Sequence, residues 1–278
     1  MKTPTVHSTP LDVALPHRTA PQRARAQLSQ RLTWGLRGVS LVIILVLWEW
    51  YGRRTNPILF TYPTAIARAA LDMLADGSLL TALGQSLYVL TVGCVLGMLS
   101  GAMLGLLTGR SMVAAALLDI PATALYATPM VALVPLLVLW FGFGTPAKIM
   151  VVLLFTIFPV LINTMRGVRE VDPRLVEVAH AFCSNEYRLW LDLVLPSALP
   201  FVMTGIRLAI GRGLIAVIVA EFYTAISGLG YLIVSNAHTF QTARVFVPVV
   251  ILMVLGVMTT GLLEVAEARL APWRQAQS

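Results

Sequence analysis

The chain has 278 residues, 58% of them apolar and only 12% charged, with 20 Lys or Arg against 13 Asp or Glu for a formal charge of +7. Ordinary globular domains are about a quarter charged, so this composition, with its mean hydropathy of +0.81, excludes a soluble globular domain and points to an integral membrane protein. Cys94 and Cys183 are too few and too isolated for a disulfide framework or a CxxC site, the four histidines are scattered without metal-ligand spacing, and no GxxxxGK[ST] phosphate loop is present, so neither catalytic residues, a metal nor a cofactor is expected.

Residues 1–34 are rich in Arg, Pro, Thr, Ser and Gln, the mark of a disordered basic arm. The first apolar run ends in Trp48, Glu49, Trp50 and Tyr51 and not in a small-residue cleavage site, which predicts an uncleaved membrane helix. At roughly 20 apolar residues per crossing, spans are expected near 35–51, 82–107, 112–141, 146–165, 198–222 and 244–263, giving a membrane domain over 35–267 and a tail over 268–278. The runs are continuously apolar, so a barrel is excluded and the fold class is all-α. With the N-terminus inside, 13 Lys or Arg fall in cytoplasmic segments and five outside, the bias of the positive-inside rule. Both termini and residues 172–196 are then cytoplasmic.

After the first span, residues 64–77 place Ile66, Ala70, Leu71 and Leu74 on one face and Arg68, Asp72 and Asp76 on the other, as in a helix lying on the outer membrane surface. Span two carries Gly93, Gly97, Gly101, Gly105 and Gly109 at every fourth position, a seam where another helix, of this chain or of a partner, approaches closely. Span three contains Pro121, Pro129 and Pro135, each removing a backbone donor. It is bent or broken, and broken helices at mid-membrane line pathways or kink to pack.

Asp172 and Pro173 form a helix start, an Asx cap followed by proline in the first turn. Leu175, Val178, Ala179 and Phe182 make an apolar face while Arg174, Glu177 and His180 project away. A turn at Cys183, Ser184 and Asn185 leads to a second short helix, in which Arg188 and Asp192 are spaced to pair, and Pro196 stops it before Pro200 admits span five. The unit is a helical hairpin suited to fill a groove on another protein.

This hairpin, EVAHAFCSNEYRLWLDLVLPSALP, resembles the EAA loop of ABC-importer permeases. Glu177, Ala179, Leu195 and Pro196 match; Val178 replaces an alanine and Cys183 stands where the family has glycine. Asn185, which tolerates left-handed geometry, is therefore expected to carry the turn. VPLLVLWFGFGTPAKI, IFPVLINTMRGVREVDPRLVE, LPSALPFVMTGIRLAIGRGLIAVIVAEF and SGLGYLI are similar to permeases of the nitrate, taurine and aliphatic sulfonate group.

The resemblance implies a MetI-like fold of six transmembrane helices in a bacterial inner membrane, forming half of a homodimer. It further implies two cytoplasmic ABC ATPase subunits and an extracytoplasmic substrate-binding protein as partners, with neither a cofactor nor a nucleic acid. Arg174, Glu177, Val178, Ala179, His180, Ala181, Cys183, Ser184, Asn185 and Arg188 would couple to the ATPase. Arg207 and Arg212 lie within span five, where a cation is costly unless it faces water or a partner; about 140° apart around the helix, they do not both point into one pore. Arg212 is the better substrate contact, and Tyr126, Pro129, Met130 and Glu221 complete the candidate pathway, while Trp140 and Phe141 are expected to pack. A gradient-driven transporter and a membrane scaffold are the rival readings.

Overall fold

In hydrocarbon every backbone polar group must be satisfied within its own segment, which leaves helices for apolar runs of this length. The computed structural model describes residues 20–270, and every regular element in them is helical. In order these are α1 (Ala20–Arg54), α2 (Pro63–Ala75), α3 (Ser78–Arg110), α4 (Met112–Ala127), a 3-10 turn (Met130–Leu133), α5 (Val134–Phe141), α6 (Thr145–Arg169), α7 (Pro173–Ala181), α8 (Glu186–Arg188), a π-helical stretch (Leu189–Val194), α9 (Leu195–Thr224), α10 (Leu229–His238) and α11 (Thr242–Leu270).

Among the described residues, five helices are long and apolar enough to cross a bilayer: Gly35–Arg54, Ser78–Arg110, Thr145–Arg169, Glu186–Thr224 and Thr242–Leu263. The expected crossing at 112–141 is instead two pieces, Val113–Ala127 and Met130–Phe141, bent by 93°, and counts as a sixth only if the pair is one span. The expected arm falls partly outside the described residues; from Ala20 onward it is helix, not coil. Alanine, glutamine, arginine and leucine dominate there, all strong helix formers.

The core is built on α6. Along one side, Gly93, Gly97, Gly101, Gly105 and Gly109 of α3 lie against Val152, Thr156, Val160, Thr164 and Val168, so the glycine seam faces a helix of the same chain. A Cβ on Gly101 would stand 2.5 Å from the Ile157 carbonyl oxygen, and one on Gly109 2.5 Å from Val168 Cβ. Both residue series rise together, so α3 and α6 run parallel. The chain between Arg110 and Thr145 therefore returns the length of α6, about 37 Å for a helix of that size, and the broken α4–α5 segment makes that return. On its other side α6 meets α9 antiparallel, with Gly167 under Phe201 and Gly205 against Val160. Val134, Leu137, Val138, Val151, Val152, Phe155, Ala216, Val217 and Ala220 fill the space between α5, α6 and α9. Inside this core Thr108 and Thr156 donate their hydroxyls to the carbonyls of Leu104 and Val152, each at 2.8 Å, while the buried Thr164 hydroxyl has no partner among the described residues.

A second cluster joins the start of α3 to α2, α10 and α11 through Ile66, Ala69, Met73, Leu79, Ala82, Leu229 and Val247. Here the face expected of α2 is corrected. Ile66, Ala69 and Met73 are buried while Leu71 and Leu74 are exposed, because α2 is turned toward α3 and α11, with its core face set by packing. Trp140 and Phe141, expected to pack, are exposed in the single chain.

If the α3/α6 approach sets the fold, Gly101→Val should cost well over the 1–3 kcal/mol typical of overpacking and abolish recovery of folded protein in detergent. Gly84→Ala, where an added Cβ meets nothing within 4 Å, should leave the thermal midpoint equal to or slightly above that of the parent.

Candidate functional site

Three polar constellations interrupt the apolar body: one at the Arg110/Arg169 end, one at mid-height, and one at the opposite end. At the first, the Asp172 carboxylate accepts from Arg174 N–H at 2.9 Å and so caps α7, with Pro173 in the first turn. The helix then ends in a 6→1 and 5→2 pair of bonds, Ser184 N–H to Ala179 O at 3.0 Å and Cys183 N–H to His180 O at 2.9 Å, a Schellman closure that needs a left-handed residue between its two donors' arms. Cys183 is that residue, at φ +55°. The expectation that Asn185 would carry the turn is corrected: Asn185 is extended, φ −76° and ψ 160°, and its side chain accepts from Arg188 N–H at 2.8 Å to cap α8. A side-chain cap and a left-handed backbone are alternative uses of asparagine, and the cap wins here.

Pro196 does not stop the hairpin's second arm, which runs without interruption from Glu186 to Thr224. Leu195 N–H donates to Trp190 O, five residues back, so the hydrogen-bond register has already shifted ahead of the proline, and its missing donor falls in the first turn of α9. Arg188 and Asp192 form no ion pair among the described residues; instead Glu186 pairs with Arg110 at 3.8 Å, and Arg110 lies 5.3 Å from the Trp190 ring centre.

The apolar face of α7 is divided. Val176 and Ala179 pack onto Val168, Leu189, Val194 and Ala198. Leu175, Val178 and Phe182 are exposed at 50%, 52% and 83%, and Tyr187 of α8 at 72%. Arg174, Glu177, His180, Ala181, Cys183, Asn185 and Arg188 are also exposed, and Ser184 is half-buried.

At mid-height, Arg212 of α9 donates to the Tyr126 phenol oxygen at 3.0 Å, with the guanidinium 4.4 Å from the ring centre. Tyr126 is in the last turn of α4, next to the break at Thr128 and Pro129. Met130, also expected along the pathway, is 8% exposed and belongs to the core around Val134 and Val151; the tight turn after Pro129 directs it inward. Pro129 itself is exposed.

Glu221 is corrected as well. It is 1% exposed and enclosed by its own chain. Ser86 donates its hydroxyl to one carboxylate oxygen at 2.6 Å and Gly230 N–H donates to the other at 2.7 Å, while Leu229 N–H donates to Ser86 Oγ at 2.8 Å. The carboxylate and hydroxyl thus satisfy the first two donors of α10, where the helix dipole favours negative charge. Lys148, 2% exposed, donates to the Ser227 carbonyl and hydroxyl at 2.7 and 2.8 Å. Helices α3, α6, α9 and α10 are joined at this one point. Gly228, at φ +100°, passes so close to the Glu221 carboxylate that no side chain fits. Ser86, Lys148 and Ser227 were not singled out from sequence as a group; two glycines bracketing Leu229 shortly after an intramembrane glutamate were the available signal. Beside this knot, Asp76 caps Ser78, whose hydrogen bonds hold the Asp76 carboxyl below its ordinary range.

Two outcomes test these assignments. Cys183→Gly should relieve about 1 kcal/mol of left-handed strain and slow amide exchange across residues 179–188, whereas Asn185→Ala should speed it by removing a cap of similar worth. Glu221→Ala, which leaves two buried donors poorly met, should cost about 3 kcal/mol of stability, with Glu221→Gln losing less because one carbonyl oxygen remains; thermal unfolding in detergent reads both.

Residues 93–272 match the family described as binding-protein-dependent transport system inner membrane component. The chain is 35% identical over 239 residues to the putative aliphatic sulfonates transport permease protein SsuC of Escherichia coli strain K12, covering 84% of this chain and 89% of that one. It is 32% identical over 250 residues to the protein of the same description from Bacillus subtilis strain 168, covering 89% and 90% respectively. Among solved structures it is similar to one titled as the crystal structure of an amino acid ABC transporter with histidines, at TM-score 0.57 and 17% identity, over 72% of this chain and 97% of that one, which carries the fold alone. The relatives are transport permeases and not enzymes. From the matched segment and the near full-length identity, the chain belongs to the binding-protein-dependent transport system inner membrane component family, the multi-pass permeases of ABC importers.

Proposed function

We propose that this chain is one half of a homodimeric permease that moves a small anionic solute inward, fed by an extracytoplasmic binding protein and driven by two separate ATPase subunits. Sulfonate, taurine and nitrate are the solutes in view: two relatives carry aliphatic sulfonates in their names, and an arginine stands at mid-height without a carboxylate partner among the described residues. The Arg110, Arg166, Arg169, Arg174 and Arg188 end faces the cytoplasm on this reading, in keeping with the positive-inside bias.

The observation that carries the proposal is the division of α7. Its inward residues anchor the hairpin to α6 and α9, and its outward stripe of Leu175, Val178 and Phe182 is left uncovered, with Arg174 and Glu177 of the same helix and Tyr187 and Arg188 of α8 exposed as well. An aromatic anchor within a charged rim is the composition of a docking surface. Because α8, the π-helical stretch and α9 are continuous, movement of the docked hairpin passes into a spanning helix without a hinge. One hairpin per chain calls for two chains about a two-fold axis when two ATPases act together.

Glu177→Lys should abolish co-purification of the ATPase and ATP-driven uptake, and Phe182→Ala should weaken ATPase association by about tenfold or more, both with unchanged thermal unfolding of the permease. Wild-type uptake by Glu177→Lys would remove the docking role.

A further inference from the structure

The residues at mid-height carry a more specific reading, which rests on the proposed permease function. We infer that Arg212 and Tyr126 together form the anion-selecting contact of the translocation pathway, a hydrogen-bond-donor-only site for a singly charged oxyanion such as an alkyl sulfonate.

Depth comes first. Arg212 lies 17 residues after Leu195 and 12 before Thr224 within α9, about 26 and 18 Å along the axis from those ends. A cation facing hydrocarbon there costs about 3 kcal/mol on insertion scales. Three arginines nearer helix ends are neutralised by carboxylates: Arg53 by Glu49, Arg110 by Glu186 and Arg169 by Asp119. Arg212 has none among the described residues. Its partner is a neutral phenol, and it is half-buried at the edge of the covered face of α9, between buried Ala209 and Ala216 on one side and exposed Leu208 and Ile215 on the other. A side chain so placed needs water or an anion in front of it.

The second, independent observation is the backbone beside it. Tyr126 is followed by the 93° break that opens at Thr128 and Pro129. Irregular backbone within a membrane persists where it is buried in protein or lines a water-filled cavity, and Pro129 is exposed. The charged group and the interrupted helix thus meet at the same height.

Their chemistry narrows the ligand. The guanidinium can only donate. Because the Tyr126 oxygen already accepts from Arg212, its own hydrogen is left to donate, and it has no acceptor among the described residues. The pair therefore presents N–H and O–H groups and a positive charge, with the ring holding the guanidinium plane in place through its face. A sulfonate offers three acceptor oxygens, a single negative charge and no proton at neutral pH. A cation is repelled, and a neutral amide or sulfonamide brings donors that find no acceptor, which is costly in a desolvated site.

The test uses the complete transporter, permease with its ATPases and binding protein, reconstituted in liposomes with internal ATP and radiolabelled ethanesulfonate as probe. Arg212→Gln should lower uptake at saturating binding protein at least tenfold while the ATPase still co-purifies. Tyr126→Phe, which keeps the stacking but loses the donor, should lower it several-fold, and Arg212→Lys should fall between parent and Arg212→Gln. Arg53→Gln, at the periphery, should match the parent. Uptake by Arg212→Gln equal to the parent overturns the inference. Loss of assembled transporter in both Arg212→Gln and Arg212→Lys also overturns it, since the residue would then serve the fold. Failure of the unmodified transporter to take up any sulfonate, by contrast, strikes the proposed solute class itself.

Discussion

Across a hydrocarbon layer, a polar group has no water to fall back on, and one left without a partner inside the chain is costly. The arrangement of this protein follows from how that demand is met. Thr108, Thr156 and Thr224 turn their hydroxyls onto carbonyls of their own helices. The first two donors of α10 are met by Ser86 and Glu221, and Lys148 is held by Ser227. The same demand explains why α10 begins where it does: a helix start buried in an apolar cluster is stable only where acceptors have been supplied by its neighbours.

Much of the fold was legible because hydropathy and period are properties of single segments. The spans at 82–107, 146–165 and 244–263 emerged with small changes at their ends, and so did the glycine seam of α3. The identity of the helix facing that seam was not legible, since close approach of α6 depends on Val152, Thr156 and Val160 arriving at matching heights from sixty residues away. The interrupted segment at 112–141 was legible as proline-bearing, while the single break at Thr128–Pro129, with Pro121 absorbed in α4 and Pro135 at the start of α5, is a tertiary outcome.

The departures share a cause. Asn185 could have served the turn or the cap, and Pro196 could have ended a helix or opened one; residue preference alone does not choose between two permitted uses. Glu221 and the inward face of α2 were misplaced for a related reason, because which side of a helix is covered depends on neighbours arriving from distant sequence. Arg212 lies within α9, and its phenol partner is brought by a different helix 86 residues away.

The α3/α6 pair also limits what kinds of movement this molecule can make. Side chains from every fourth residue of α6 seat in successive notches on α3, as teeth seat in a rack. Sliding by part of that spacing would drive Val152, Thr156 and Val160 onto the ridges between notches, so displacement is restricted to four-residue steps of about 6 Å or to none. The two helices consequently travel as one piece, and any flexing in the chain has to be taken up at the joints around them.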